Sequence, residues 1–386
     1  MTMMIFICVT SDIVTDQRVL KVANELSLTG AKVTIIGRKL PWSLETEGIP
    51  YRVVRYRMIF KKGFLFYKFF NIRLFFTLLA SGADLIVSND LDTLLPCFIV
   101  SKIKKIPMVY DSHEYFTGSP ELTGRPMVRY IWKSIERMIV PRLNHMMTVN
   151  RSIAELYENE YGIKPVVIRN FSRHWSGRPI EREELGISSD DLICVIQGTG
   201  LNTGRGGMEL LDAIKDSEGI HLLVIGRGDQ ARLMRDRILE PGIINRVTFL
   251  PVMPWDDMMT YTAMADVGLS LDMKGSINYE NSLPNKIFDY MNAGIAVIAT
   301  DLKEVSSVVK SKGCGILISE PGPGLIREAI FRFRDDRTFL QKCRQKSREA
   351  FEFYRWENEA AGLRDLYSSV GLVFNSENRN DSDLEN

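Results

Sequence analysis

The sequence has almost no net charge. Its 386 residues include 49 Lys and Arg against 48 Asp and Glu, a formal net charge of +1. A surface that attracts nucleic acid or an acidic polymer over long distances needs an excess of positive charge, so neither class of partner is expected. Any basic surface on this protein must be local.

Cysteine and histidine are scarce, with five and four residues respectively. The cysteines are odd in number, far apart and mostly set in apolar runs, which is typical of buried free thiols in a reducing compartment. A cytoplasmic location is therefore expected. The sequence has no cluster of cysteine and histidine at zinc-ligand spacing, so no metal cofactor is predicted from these residues.

No uninterrupted apolar run is long enough to span a bilayer. The longest candidate, Phe64 to Ala80, contains Lys68 and Arg73 and is not expected to cross a membrane. The apolar start of the chain lacks a preceding cationic segment and is interpreted as a first strand rather than a secretory signal.

The region from Arg52 to Arg73 interleaves cationic and aromatic side chains. Two interpretations stay open. The region could lie on the inner face of an anionic membrane and reach a lipid-linked acceptor, or its aromatic residues could fill a hydrophobic core.

Short apolar strands alternate with helical segments in two successive series. The first series is Ile5–Val9, Lys32–Ile36, Leu85–Val87, Met108–Tyr110, Met146–Val149 and Val166–Ile168. The second is Ile193–Gln197, Leu222–Ile225, Val247–Leu250, Val267–Ser270, Ile295–Ala299 and Gly315–Ile318. Continuously apolar strands need cover on both faces, so the predicted fold is α/β with two Rossmann-like doubly wound domains.

The predicted domains are residues 1–172 and 188–350, joined by a polar connection containing Gly and Pro. A helix over about 356–372 follows, with apolar residues at helical spacing. The polar residues 375–386 are predicted to be disordered.

A glycine-rich loop follows the first strand of the second series. Gly198, Gly200, Gly204 and Gly206 precede a helix, so backbone N–H groups and the helix N-terminus could bind a phosphate. Arg205 could add a permanent cation. The alternative is an ordinary glycine-rich turn with a solvated arginine.

A second segment, Asn278 to Thr300, supports the phosphate interpretation. It predicts a helix of about three turns that starts at Pro284 with Ser282 as its cap. Lys286 then lies in the first turn, where the helix dipole disfavours a cation unless an anion is near. Asp289 could accept hydrogen bonds from ribose hydroxyls, or could simply form a surface ion pair with Lys286.

The motifs QGTGLNTGRG and NSLPNKIFDYMNAGIAVIAT resemble the donor-binding half of the family 4 glycosyltransferases. SDIVTDQRVLKVANEL, SNDLDTLLP and VYDSHEYF extend the resemblance into the first half. It implies a glycosyltransferase-B fold, with an acceptor domain and a donor domain facing across a cleft and the C-terminal helix crossing back to the first domain. It also implies transfer from a nucleotide sugar to a glycan or lipid-linked acceptor, with retention of configuration and no divalent metal.

The chain departs from the family's pair of glutamates. Asp289 stands at the second position, where the resemblance implies ribose binding, and Asn281 stands at the first, which contacts the donor sugar. Glu280, one residue out of register, could substitute. Arg205 matches one of the family's two diphosphate-binding cations, and Lys286 is the better candidate for the other.

His113, in VYDSHEYF, matches the family histidine that faces the donor sugar, and is expected to act as a neutral hydrogen-bond partner. Asp111 and Glu114 flank it and could orient it or cap the next helix. Asp16 and Arg18 face the acceptor in family members, or could be solvated residues of a first helical turn. The carboxylates of SNDLD are not interpreted as a metal site, because Arg, Lys and helix termini replace the metal in this fold.

The predicted function is a hexosyltransferase in cell-surface polysaccharide or glycolipid synthesis. Two alternatives stay open: a nucleotide-sugar epimerase of the same fold, and a non-catalytic partner subunit, which Asn281 keeps open. A nicotinamide dehydrogenase is less favoured, since the first strand-to-helix turn, VTSDIVTDQRV, has no glycine.

Overall fold

The structure is a computed structural model that describes residues 2–46 and 48–374. The predicted disordered tail, 375–386, lies outside the described residues. The chain divides into two compact units. Unit 1 comprises Met1–Arg169 and the segment from Ala360 onward, and unit 2 comprises Asn170–Glu359. The predicted connection was 172–188, so the structure divides the chain slightly earlier.

Unit 1 is built on a parallel sheet of seven strands in the order β3-β2-β1-β4-β5-β6-β7. The strands are β1 Met4–Cys8, β2 Lys32–Lys39, β3 Arg52–Arg57, β4 Leu85–Asn89, β5 Met108–Ser112, β6 His145–Thr148 and β7 Val166–Val167. Its helices are α1 Gln17–Ser27, α2 Gly63–Ala80, α3 Leu91–Lys104, α4 Pro126–Ile139, α5 Arg151–Tyr161 and most of α14 Trp356–Ser368.

Unit 2 is built on a parallel sheet of six strands in the order β10-β9-β8-β11-β12-β13. The strands are β8 Leu192–Gly198, β9 Ile220–Gly226, β10 Val247–Leu250, β11 Val267–Ser270, β12 Ala296–Thr300 and β13 Gly315–Ile318. Its helices are α6 Gly207–Ile214, α7 Asp229–Arg237, α8 Trp255–Met264, α9 Ile277–Glu280, α10 Lys286–Asn292, α11 Lys303–Lys312, α12 Pro323–Asp335 and α13 Arg337–Phe353.

The strand order confirms the prediction of two doubly wound α/β units. In each sheet the chain starts in the middle, moves to one edge and then returns to fill the other side. Two hydrophobic clusters of unit 2 lie on opposite faces of its sheet. The consecutive β8 residues Cys194 and Val195 point to opposite faces and belong to different clusters. Burial on both faces explains why these strands are apolar throughout.

One strand was missed. The segment Arg52–Arg57 forms the edge strand β3, although its alternation of arginine and apolar residues was grouped with the basic and aromatic region. An edge strand is partly solvated and tolerates charge, so it lacks the apolar run of its neighbours. The five cysteines are all buried and free, as expected.

Within the described part of the chain, α2 is the one helix whose length and apolar composition would suffice to cross a membrane. A core helix meets the same test. Four of its side chains, Phe66, Phe70, Leu74 and Leu78, are buried in the core of unit 1. The rest of its surface is mostly exposed.

Candidate functional site

The strand order locates the site region in each unit. Ligands of doubly wound sheets bind beyond the carboxyl ends of the strands. They bind at the switch point, where the loops after two neighbouring strands run in opposite directions and leave a crevice. In unit 2 this point lies between β8 and β11, and in unit 1 between β1 and β4. The loops after β8 and β11 contain Arg205 and Asp272 respectively.

Arg205 forms an ion pair with Asp272, whose carboxylate is buried. The Arg205 guanidinium also stacks over the ring of Tyr279, 4.6 Å from its centroid. These two partners hold the guanidinium at the switch point of the sheet with 28% of its side chain still exposed. Arg205 is therefore positioned rather than solvated, and the interpretation as a free turn arginine is wrong.

The second carboxylate oxygen of Asp272, Oδ2, is buried and has no hydrogen-bond partner among the residues that the structure describes. A buried acceptor without a partner costs about 1–3 kcal/mol in folding free energy. The presence of Asp272 at this position therefore indicates a role beyond packing. Sequence reasoning missed Asp272. The sequence did contain a signal, because Asp272 lies two residues after the end of the apolar strand β11.

Lys286 belongs to the same group of charges. Its pKa is lowered to about 8 chiefly because burial disfavours the ammonium form; Arg205 also lowers it, whereas Asp272 and Asp289 raise it. Asp289 is buried, so the alternative of a pair with Lys286 at the surface is wrong. Two cations close enough to affect one another, one of them paired with a buried carboxylate, form a site suited to a multivalent anion.

The glycine-rich loop is shaped by close packing. Gly206 has φ +71°, and a Cβ atom there would lie 2.4 Å from Leu271 Cβ. Gly204 has φ +87°, and its Cβ would lie 3.1 Å from the Tyr279 ring. These glycines let the loop approach the strand end that carries Asp272. Gly200, by contrast, has open space, with its nearest neighbour at 3.8 Å.

Asp289 is buried, and its carboxylate accepts hydrogen bonds from three side chains. The Ser172 hydroxyl and the Trp255 indole donate to Oδ1, the latter at 3.0 Å, and the Gln197 amide donates to Oδ2 at 3.1 Å. Ser172 is the third residue of unit 2, so this carboxylate ties the start of the unit to α10. Ribose binding by Asp289 stays a prediction.

The predicted start of the lysine-bearing helix is wrong. Helix α10 begins at Lys286, after Asn285, and is only seven residues long. The Ser282 hydroxyl donates to the carbonyl of Tyr279 at 2.9 Å instead of capping α10. Asn281 likewise donates to the carbonyl of Ile277 at 2.8 Å. Both side chains complete the preceding turn, α9, and their contact with a donor sugar stays a prediction.

In unit 1, His113 lies among carboxylates at the ends of β4 and β5. Its Nδ1 is 3.5 Å from Asp90 Oδ2, and its Nε2 is 3.3 Å from Asp111 Oδ2 and 3.1 Å from Asn89 Oδ1. Burial alone would lower its pKa, but Asp90, Asp111 and Asp16 together raise that pKa to about 9. The surrounding carboxylates therefore favour the imidazolium form of His113, whereas the sequence suggested a neutral imidazole.

Asp90 has a backbone conformation that is rare for any residue except glycine, with φ 58° and ψ 168°. Its Oδ1 accepts the backbone N–H of His113 at 2.9 Å. Strain of this kind costs about 1–3 kcal/mol and is concentrated at functional sites. Sequence reasoning considered Asn89 and Asp90 only as metal ligands and missed them as partners of His113.

Arg18 is buried, with 2% of its side chain exposed, so the interpretation as a solvated residue is wrong, while its contact with the acceptor stays a prediction. Its guanidinium donates to both carboxylate oxygens of Asp111, at 2.6–2.9 Å, and to the carbonyl of Ile168. Asp111 is thus held by an internal ion pair and caps no helix. Asp16 is the cap of α1, accepting from the backbone N–H of Val19.

Glu114 lines an apolar groove in unit 1. A role of Glu114 in orienting His113 stays a prediction. Within residues 2–46 and 48–374, no group of three or more His, Cys, Asp or Glu side chains is arranged to hold a metal ion. Each unit thus has its own charged group: His113 lies among carboxylates in unit 1, and Arg205 and Lys286 lie beside Asp272 in unit 2.

Two family models match the chain, one for each half. The model described as "Glycosyltransferase Family 4" matches residues 16–171, and that described as "Glycosyl transferases group 1" matches residues 178–350. The chain belongs to these glycosyltransferases. The resemblance drawn from the sequence motifs is thereby confirmed, and with it the glycosyltransferase-B architecture.

Solved structures of related fold cover nearly the whole glycosyltransferase chain. A sucrose-phosphate synthase from Thermosynechococcus elongatus is 17% identical, covers 95% of this chain and 99% of its own, and has a TM-score of 0.78. HepE from Anabaena, solved in complex with UDP and glucose, is 16% identical, with 95% and 100% coverage and a TM-score of 0.73. At these identities the likeness shows the fold.

A curated relative from Candida albicans, chitobiosyldiphosphodolichol beta-mannosyltransferase, is 24% identical over 212 residues. The match covers 50% of this chain and 46% of the relative, so the chain spans about half the length of that protein.

Proposed function

We propose that this protein transfers a sugar from a nucleoside diphosphate sugar to a hydroxyl group of a glycan or lipid-linked acceptor. The donor diphosphate binds to unit 2 at the ends of β8 and β11. The acceptor is bound by unit 1, which contains His113. The single observation that carries the proposal is the pair of cations, Arg205 and Lys286, beside the buried carboxylate of Asp272.

In this proposal the two cations act when the diphosphate departs from the sugar. As the bond between the anomeric carbon and the diphosphate breaks, negative charge grows on the diphosphate oxygens. Arg205 supplies a planar guanidinium that stays charged, and Lys286 supplies a point charge whose partly buried position strengthens its attraction for an anion. No divalent metal is required for this role, and we propose a metal-independent enzyme.

His113 is the residue of unit 1 to which we assign a role in binding. As an imidazolium, it donates hydrogen bonds and cannot accept a proton from the acceptor. We therefore assign it to binding an electron-rich oxygen of the donor sugar or its phosphate, and assign no general base to it. Retention of configuration, with the leaving phosphate taking the acceptor proton, is consistent with this assignment.

The cellular setting is also part of the proposal. The glycosyltransferase family and the mannosyltransferase activity for which the Candida relative is named support glycan assembly. The exposed apolar surface of α2, beside Lys68 and Arg73, supports peripheral contact with an anionic membrane from the cytoplasmic side. We propose synthesis of a cell-surface polysaccharide or glycolipid.

A thermal-shift panel of UDP, GDP, ADP and CMP sugars tests donor binding first. The expected result is stabilisation by one class of diphosphate sugar and loss of that stabilisation in Lys286→Ala and Arg205→Ala. Absence of any shift across the panel would overturn the assignment of the donor site.

Turnover of the donor that binds is then measured with and without acceptor, in the presence of a metal chelator. Transfer that needs acceptor and withstands the chelator supports the proposal. Conversion to an isomeric nucleotide sugar without acceptor would identify an epimerase instead. Binding without any turnover, whichever acceptor is offered, would favour the partner-subunit interpretation raised by Asn281.

A further inference from the structure

Unit 1 contains an apolar groove between α2, α3 and α4, which we call the α2–α4 groove. Its volume is about 800 Å³, within the range of sites that hold organic ligands. Its apolar lining includes Tyr67, Ile72 and Phe76 on α2, Ile99 on α3, and Ile131 and Trp132 on α4.

The lining is unusually open for apolar side chains. Phe76 is 62% exposed, Ile72 is 45% exposed and Ile131 is 42% exposed. These residues lie above a packed floor, since Trp132 and the inner face of α2 belong to the core of the unit. The groove is therefore a preformed concave surface whose walls expose hydrocarbon to water, which is a feature of binding sites rather than of an ordinary surface.

The groove extends to the loop that carries His113. Glu114 and Phe116 are among its lining residues, and Glu114 directly follows His113 in the chain. A ligand lying in the groove would have one end close to the histidine that we assign to the sugar. The groove and the candidate site thus share one loop.

The charges around the groove are asymmetric. Its lining includes Lys62, Lys68 and Arg125, all exposed, against one carboxylate, Glu114, among the described lining residues. A wholly apolar ligand would have no use for these cations. The arrangement is complementary to an amphiphile with a long hydrocarbon part and an anionic head.

We propose that the α2–α4 groove binds the hydrocarbon chain of an anionic, phosphate-bearing lipid acceptor, so that its hydroxyl group is presented beside His113. This inference rests on the proposed function and specifies its acceptor: an amphiphile whose single chain enters the protein. The groove then selects lipid-linked acceptors by chain burial, whereas soluble glycans gain nothing from it.

The first experiment measures binding of n-alkyl phosphates of increasing chain length by calorimetry, below their micelle-forming concentrations, with inorganic phosphate as the chainless reference. Affinity is expected to rise by up to about fourfold for each methylene group that enters the groove, and to level off when the groove is full. Equal affinity for all chain lengths would overturn the proposal.

Two variants at one position separate chain binding from adhesion of the surface to lipid. Ile72→Trp narrows the groove while keeping the surface apolar, and Ile72→Asp introduces a charge into it. Both are expected to weaken binding of the longest alkyl phosphate at least tenfold. If the surface merely adheres to hydrocarbon, Ile72→Trp will bind as well as the wild type or better, and the groove is not the site.

Phe69→Asp is the matched control. Phe69 lies on the same helix and is also 45% exposed, but it stacks on Phe60 and does not line the groove. It should leave alkyl phosphate affinity unchanged. Ile131→Asp, on the opposite wall, repeats the test if the Ile72 variants do not fold. An equal loss in Phe69→Asp and Ile72→Asp contradicts binding in the groove.

Donor binding by the same variants distinguishes this inference from the proposed function. The Ile72 variants should retain the nucleotide-sugar thermal shift of the wild type, since the donor site lies in unit 2. Chain-independent alkyl phosphate binding with an intact donor shift overturns only the groove. Chain-dependent binding without any donor shift supports the groove and overturns the proposed transferase.

Discussion

Arg18 and Asp111 form a two-pronged ion pair in the interior of unit 1, with 2% and 0% of their side chains exposed. Burial alone would raise the pKa of Asp111, but the Arg18 guanidinium and His113 hold that pKa at about 2. Removing the guanidinium would leave a buried carboxylate uncompensated. We predict that Arg18→Met lowers the free energy of unfolding by about 3–5 kcal/mol, measured by urea denaturation.

Arg151→Met is the control for that measurement. Arg151 pairs with Glu155 one helical turn away, but both side chains are exposed and the pair is solvated. A loss of about 0.5 kcal/mol or less is expected. Similar losses in the two variants would show that the buried pair contributes no more than a surface pair.

A second prediction concerns the protonation of His113. Asp90→Asn removes the carboxylate that most strongly favours the imidazolium, while asparagine tolerates the positive φ of that position. The pKa of His113 should fall from about 9 toward its ordinary value by roughly one unit or more, measured by NMR titration of the ring protons. Glu114→Gln, adjacent in sequence but facing the groove, should leave it unchanged.

The same shift has a consequence for stability. A histidine whose pKa is raised on folding contributes stability that is complete below its unfolded pKa of 6.5 and is lost as the pH rises through about 9. The stability difference between wild type and Asp90→Asn should therefore shrink over that interval. A difference that grows with pH would contradict the assignment of Asp90, Asp111 and Asp16 as the groups that hold the charge.

A third prediction uses the lowered pKa of Lys286. Free Lys286 loses its proton near pH 8, and a bound diphosphate favours the protonated form, so donor affinity should fall by up to about tenfold between pH 8 and 9. Lys286→Arg keeps its charge and should remove this step, whereas Lys286→Ala should bind weakly at every pH. Calorimetry with the nucleotide sugar is the measurement. A step that persists in Lys286→Arg would show that another group titrates.

A fourth prediction separates loop folding from phosphate binding. In Gly206→Ala the alanine would have to adopt a positive φ, and its Cβ would lie 2.4 Å from Leu271 Cβ. We therefore expect the free energy of unfolding to fall by about 1–3 kcal/mol. Gly200→Ala meets no such obstacle and should be as stable as the wild type. If the backbone at Gly200 approaches the diphosphate, this variant alone will combine normal stability with weakened donor binding. Normal binding by Gly200→Ala would remove Gly200 from the donor site.

Much of the fold could be predicted from the sequence, because buried parallel strands are continuous apolar runs. Val247–Leu250, Val267–Ser270 and Gly315–Ile318 match the predicted limits residue for residue. The edge strand Arg52–Arg57 could not be recognised in this way, since one side of it is solvated and carries arginine. The start of α10 was misplaced because Ser282, typical of a helix start, instead bonds to the turn before it, and the helix begins two residues after Pro284.

The site could be predicted only in part. Glycines and cations at strand ends indicated where a phosphate would bind, because that chemistry is local in sequence. The partners of those residues were not predictable: Asp272 is 67 residues from Arg205, and Asp90 is 23 residues from His113. The charge state of His113 depends on such distant carboxylates, which is why the sequence suggested a neutral ring.

The last helix has a consequence for how the protein is made. From Ala360 onward it belongs to unit 1, and Ala360, Leu363 and Tyr367 are buried there. A ribosome therefore delivers the first half of this core, then the whole of unit 2, and only then the piece that closes the first half. Unit 2 can fold before the last helix has been made, but unit 1 stays incomplete until that helix has followed unit 2 off the ribosome.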